Sequence, residues 1–183
     1  MRIKNKTESN QYIRRKNLNT VPEIIVPKHE VEAMKKFFET HSANLYVLRD
    51  GSKTSSKYFY IKTFSECESL LNEYENLVIV AVSVKGYKKQ LLLGTAQFQT
   101  DNGLNITCTT DASLDHRTIY GGAEFNLKTD IFDKRLDEIP CFDKLYEYIH
   151  NNDLYDHIVE FTIFDRKVGT KKDYIVINEV RDY

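Results

Sequence analysis

The chain has 183 residues, 41% of them apolar, 29% charged and 12% aromatic, with no Trp, only three Pro and seven Gly, and a formal net charge of −1. That length and composition fit one domain with a real core, and exclude a disordered, collagen-like or disulfide-framed chain. The near-zero total hides a net of +5 over residues 1–21 and of −9 over residues 101–165.

Residues 1–21 are polar and basic, with Ile3, Tyr12, Ile13 and Leu18 as the apolar anchors. They read as a flexible arm ahead of a single domain over 22–183. Arg14, Arg15 and Lys16 suit contact with polyphosphate, since cationic side chains displace condensed counterions from nucleic acid. The polar N-terminus lacks the pattern of a secretory leader, and no apolar run approaches the ~20 residues of a membrane helix. Cys67, Cys108 and Cys141 are odd in number and far apart, which points to free thiols in a reducing cytoplasm.

Glu23-Ile24-Ile25-Val26 predicts an edge strand. Val31, Met34, Phe37 and Phe38 recur at helical spacing and predict a helix from Pro27 to about His41. Asn44 to Arg49 and Tyr58 to Thr63 predict a hairpin around Asp50-Gly51 and a polar tip. Ser65 with Glu68 has capping-box spacing and predicts a helix to Tyr74, with Leu70, Leu71 and Tyr74 on its apolar face. Leu77 to Val84, Gln90 to Phe98 and Leu104 to Cys108 read as three consecutive antiparallel strands at the centre of one sheet. A strand broken at Gly121-Gly122 follows, where a bulge or a close backbone approach is expected. Pro140 opens a helix with Phe142, Leu145, Tyr146 and Ile149 on one face. Ile158 to Phe164 and Tyr174 to Val180 form a last hairpin. The expected fold is α+β: a single domain with a mainly antiparallel sheet of about six to eight strands and about three helices packed on it.

No stretch carries a phosphate-binding loop, a nucleophile elbow or a Cys–His pair. Asp111, Asp115 and His116 share one polar segment. Carboxylates with an imidazole can hold Mg²⁺ or Mn²⁺, and the metal can activate water, so a nuclease acting on RNA or DNA is one reading, metal-dependent or His-based. Asp130, Asp133 and Asp137 begin an acidic block that extends to Asp165. Such a face attracts a partner with a basic groove.

In size, charge layout and richness in Lys, Asn, Tyr and Ile, the chain resembles the small anti-CRISPR proteins of phages and mobile elements. That resemblance implies a binding protein without a cofactor. It would inhibit a nucleic-acid-handling machine such as a CRISPR effector nuclease or its guide RNA complex. The acidic face would meet a bacterial protein or ribonucleoprotein, and the arm would touch RNA, with no membrane involved. The nuclease is the first alternative, and a generic, immunity-type partner module is the second.

Overall fold

The computed structural model describes residues 3–43, 45–51, 59–81, 87–113, 119–166 and 174–182. In chain order the elements are α1 (Lys6–Arg15), β1 (Glu23–Pro27), α2 (Val31–Thr40), β2 (Tyr46–Asp50), β3 (Phe59–Ile61), α3 (Phe64–Leu71) and β4 (Asn76–Ala81). Then come β5 (Tyr87–Phe98), β6 (Gly103–Thr109), α4 (Ile119–Gly122), β7 (Phe125–Asp130), a 3-10 turn (Lys134–Glu138), α5 (Phe142–Asn151), β8 (His157–Arg166) and β9 (Tyr174–Asp182).

The α+β class holds, but the strands divide between two sheets. One has the order β1-β4-β2-β3 and the other β7-β6-β5-β8-β9, and every pairing is antiparallel. The three consecutive strands expected in one sheet are therefore separated. β4 lies inside the first sheet, between β1 and β2, whereas β5 and β6 belong to the second. β1 is an edge strand, as its short apolar run predicts.

Each sheet buries one face against helices. On the first, Val26, Leu48, Leu77 and Ile79 pack with Met34 and Phe37 of α2 and Cys67 and Leu71 of α3. On the second, Leu92, Phe98, Leu104, Ile106, Phe161 and Ile163 pack with Leu145 and Ile149 of α5. Burial of that apolar surface is the main stabilising term, at about 25 cal/mol per Å².

Local chemistry moved several predicted boundaries. Pro27 closes β1 rather than opening α2, which starts four residues later. At α3 the capping box belongs to Thr63 and Glu66, not Ser65 and Glu68: Thr63 Oγ1 accepts from the Glu66 amide, and Glu66 accepts from the Thr63 amide. Gly121-Gly122 ends the single turn α4, and Gly121 has open space where a Cβ would stand, so no close approach accounts for it. Residues 6–15 form α1 instead of a flexible arm. Asn5 caps it by accepting from the Glu8 amide, and Ile13 enters the second core.

Among the described residues, Gly94 is a glycine that the backbone packing of the sheet demands. A Cβ there would lie 2.5 Å from Cys108 Cβ and 2.5 Å from the Thr107 carbonyl oxygen of β6. Gly94→Ala is expected to lower unfolding stability by about 1–3 kcal/mol, as overpacking does, measured by urea denaturation. A second expectation concerns the thiols. Burial pushes Cys67 and Cys108 up to about 12, whereas Cys141 is only half-buried. In the native protein a thiol-specific reagent should modify Cys141 first, and Cys67 and Cys108 only on unfolding.

Candidate functional site

Charged residues inside strands are expensive to bury, and this chain buries several at one place. Tyr46 and Leu48 of β2 pack in the core with α2 and α3, but Arg49 points to the opposite side, towards Glu179 of the second sheet. There its guanidinium meets Glu179 of β9 at 3.1 Å, and both side chains are buried. The pair is a direct polar link between the two sheets.

Around it the ladder β8–β9 contributes three more groups. Glu160 and Glu179 stand directly opposite each other in register, so two carboxylates share one face of the sheet. Like charges in that position repel. Arg181 offsets the repulsion: its NH2 group bonds Glu160, and its Nε lies 3.6 Å from Glu179 Oε1. Immediately past this pair the register shifts, because Phe161 pairs with Ile177 and Asn178 is the extra residue of a bulge. The Asn178 side chain donates to Thr162 Oγ1 at 2.8 Å, and its carbonyl accepts from the Lys6 ammonium.

α1 closes the group from the N-terminal side. Lys6 also pairs with Glu23 of β1 at 3.3 Å, and Asn10 donates to the same carboxylate. Thr7 Oγ1 donates to the Gly51 carbonyl at the end of β2, and Ser9 Oγ accepts from the Val180 amide at 2.9 Å. One short helix thus touches both sheets through polar atoms. Three cations (Lys6, Arg49, Arg181) face three carboxylates (Glu23, Glu160, Glu179), so the formal charges cancel. Arg181, with 39% of its side chain exposed, marks the side that opens to solvent. Its Nε is buried and has no hydrogen-bond partner among the described residues.

The residues singled out in the sequence lie elsewhere. Asp111 is exposed and held below its usual range by the Ser113 hydroxyl and amide. Asp115 and His116 lie outside the described residues. No cluster of three or more His, Cys, Asp or Glu suited to a metal occurs among the described residues. Asp130 accepts from the Phe132 amide, and Asp137 is exposed on the 3-10 turn. Asp133 is engaged by Arg135 and Thr129, whose hydrogen bonds hold its carboxyl far below the ordinary range. Arg14 donates to the Glu23 carbonyl, while Arg15 and Lys16 stand over the Tyr12 ring.

The buried cluster itself was missed. Its signal was available: Arg49 follows Val47-Leu48, Glu160 stands between Val159 and Phe161, and Glu179 precedes Val180, each a charge beside apolar strand residues.

No protein-family model matches the chain, and no curated protein matches it at a significant level. Solved structures do match, and the fold is similar to that of several ligases and synthetases. D-alanyl-alanine synthetase A from Vibrio cholerae superposes with a TM-score of 0.54 at 13% identity, over 97% of this chain and 54% of that one. N5-carboxyaminoimidazole synthetase from Staphylococcus aureus gives 0.55 at 15% identity, over 98% and 44%. An N5-carboxyaminoimidazole ribonucleotide synthetase in complex with ADP gives 0.54 at 11%, over 100% and 46%. The chain spans about half the length of these structures, and the likeness is one of fold.

That finding overturns the anti-CRISPR resemblance and the functions attached to it. A two-sheet fold shared with ligases and synthetases replaces the inhibitor of a nucleic-acid machine, the nuclease and the immunity-type module. The expectation of no cofactor goes with them. No helix among the described residues is long and apolar enough to cross a membrane.

The opposed carboxylates generate a pH prediction. Burial, and then Glu179 across the ladder, push the Glu160 carboxyl above its ordinary 4.5. From that value upward the unfolded chain releases the proton while the folded chain keeps it. The folded state then binds more protons, so stability falls as pH rises through this interval. Glu160→Gln removes the titration, and its urea midpoint should fall less than that of the parent between pH ~5 and ~8. Parallel profiles for the two proteins would contradict this.

Proposed function

We propose that the protein binds a magnesium–ATP complex at the junction of its two sheets and is the nucleotide-binding part of an ATP-dependent ligase acting on small molecules. The observation that carries this reading is the opposed pair Glu160–Glu179, flanked by Lys6, Arg49 and Arg181, in a fold shared with ligases and synthetases. One of those synthetases is in complex with ADP.

The residues fit the group they would hold. Mg²⁺ typically uses one or two protein carboxylates and fills its remaining positions with water and phosphate oxygens. Glu160 and Glu179 supply two carboxylates on one sheet face, so no larger protein cage is needed. Lys6 and the two arginines are suited to phosphate oxygens, Arg by its planar fork and Lys as a point charge. The buried, unbonded Nε of Arg181 has a hydrogen-bond donor to spare. When bound, the metal would neutralise phosphate charge and orient the terminal phosphate.

The chain's own part is binding and orientation. In the absence of nucleotide, each cation rests against a carboxylate, which keeps the charges satisfied. On binding, a cation would exchange a carboxylate oxygen for a phosphate oxygen, and Glu160 and Glu179 would be the residues to hold the metal. The exchange leaves no buried charge unpaired, which would otherwise cost several kcal/mol. Three free thiols and a requirement for ATP both suit a cytoplasmic location.

Calorimetric titration with ATP tests the reading. Saturable binding is expected with Mg²⁺, weakened about tenfold or more by chelation, by Glu179→Gln or by Arg181→Met, which corresponds to about 1.4 kcal/mol or more. Absence of binding to ATP and ADP by a folded sample, with and without Mg²⁺, would overturn it.

A further inference from the structure

A second polar constellation lies on the same two strands, three residues from the carboxylate pair. His157 of β8 stands opposite Asp182 of β9, just as Glu160 stands opposite Glu179. His157 Nδ1 lies 2.8 Å from Asp182 Oδ1, and its Nε2 lies 3.3 Å from the Tyr12 hydroxyl of α1. An ionised carboxylate only accepts, so Nδ1 donates to Asp182, and Nε2 is left to share a hydrogen bond with the Tyr12 hydroxyl. The remaining oxygen of Asp182 accepts the Ile3 amide at 2.8 Å, and the Asp182 amide donates to the Ile3 carbonyl at 3.2 Å. Burial and then Asp153 push the Tyr12 hydroxyl above its ordinary range, so it keeps its proton as a donor.

All of these bonds fasten the N-terminal segment, and that segment has one member in the charge cluster. α1 carries Tyr12 near one end and Lys6 at the other. Arg15 and Lys16 of the same helix end lie over the Tyr12 ring, and Lys16 lies 3.8 Å from Asp153, which adds an outside contact at that end.

We propose that Tyr12, His157 and Asp182 are positioning residues: they latch α1 to the end of the β8–β9 ladder and thereby hold the Lys6 ammonium at the Glu23–Asn178 position beside the carboxylate pair. The role of Lys6 towards phosphate rests on the nucleotide reading above; the latch itself does not. None of the three latch residues belongs to the charge cluster, and Tyr12, on α1, is linked to it through the helix.

The test uses the full chain and two readouts. Tyr12→Phe deletes one hydroxyl and keeps the ring, and Asp182→Asn removes the charge at the other end of the relay. Amide hydrogen exchange in α1 is expected to accelerate about fivefold in Tyr12→Phe, as loss of one hydrogen bond implies, with the α5 amides unchanged. In the second readout, Tyr12→Phe weakens MgATP binding severalfold in the parent but has no further effect in a Lys6→Met background. Purely global destabilisation would instead give the same factor in both backgrounds. Unchanged α1 exchange in Tyr12→Phe overturns the latch, whether or not Asp182→Asn folds. Equal factors in the two backgrounds overturn its action through Lys6. If the parent binds no nucleotide, the nucleotide reading fails, and α1 exchange alone decides the latch.

Discussion

The Arg49–Glu179 pair joins two sheets that each have a complete core of their own. Each packs one face on helices and could leave the other to solvent, as antiparallel sheets commonly do. Here Arg49, on the second face of the first sheet, meets Glu179 of β9, next to the buried Val78 that stands opposite it in β4. A buried ion pair is a weak source of stability, because desolvation offsets most of the Coulomb attraction. It is strongly directional, however, and removing one partner strands the other. The arrangement therefore fixes how the sheets face each other more than it stabilises them, and it keeps charged groups at the place where the structure reads best as a ligand site.

α1 makes that arrangement complete. Its buried side chains are mainly polar: Lys6, Ser9 and Asn10, with Ile13 as the apolar exception. The helix bonds Gly51 of the first sheet and Asn178 and Val180 of the second. It is short for an isolated helix to persist in water, and its stability derives from these tertiary bonds and from Ile13. A polar helix held at both ends suits a position beside a charged ligand better than an apolar one would.

Much of the element inventory was legible in the sequence. The apolar runs of β4, β8 and β9 and the helical spacing of α2 and α5 follow from side-chain periodicity alone. Sheet partnership was not legible. β4 and β5 are successive in the chain, yet they lie in different sheets, because alternation shows which face is buried and not which strand pairs with it. α1 was hidden because its burial is polar, so residues 1–21 resembled a solvated arm. The choice between Thr63 and Ser65 as cap was open, since both have Glu three residues on. The charge cluster is assembled from β1, β2, β8, β9 and α1, and no local spacing connects them. A phosphate loop is a local signal, and its absence says nothing about a site built by strands from both ends of the chain.

The central claim, that the junction of the sheets holds the phosphates of a nucleotide, is tested most directly by nitrogen-15 resonances of the arginine guanidinium groups. On titration with MgATP, the Nε–H signals of Arg49 and Arg181 should shift together and saturate, with that of Arg135 on the distant 3-10 turn unchanged. Binding with both junction arginines unmoved would place the nucleotide elsewhere and contradict the account.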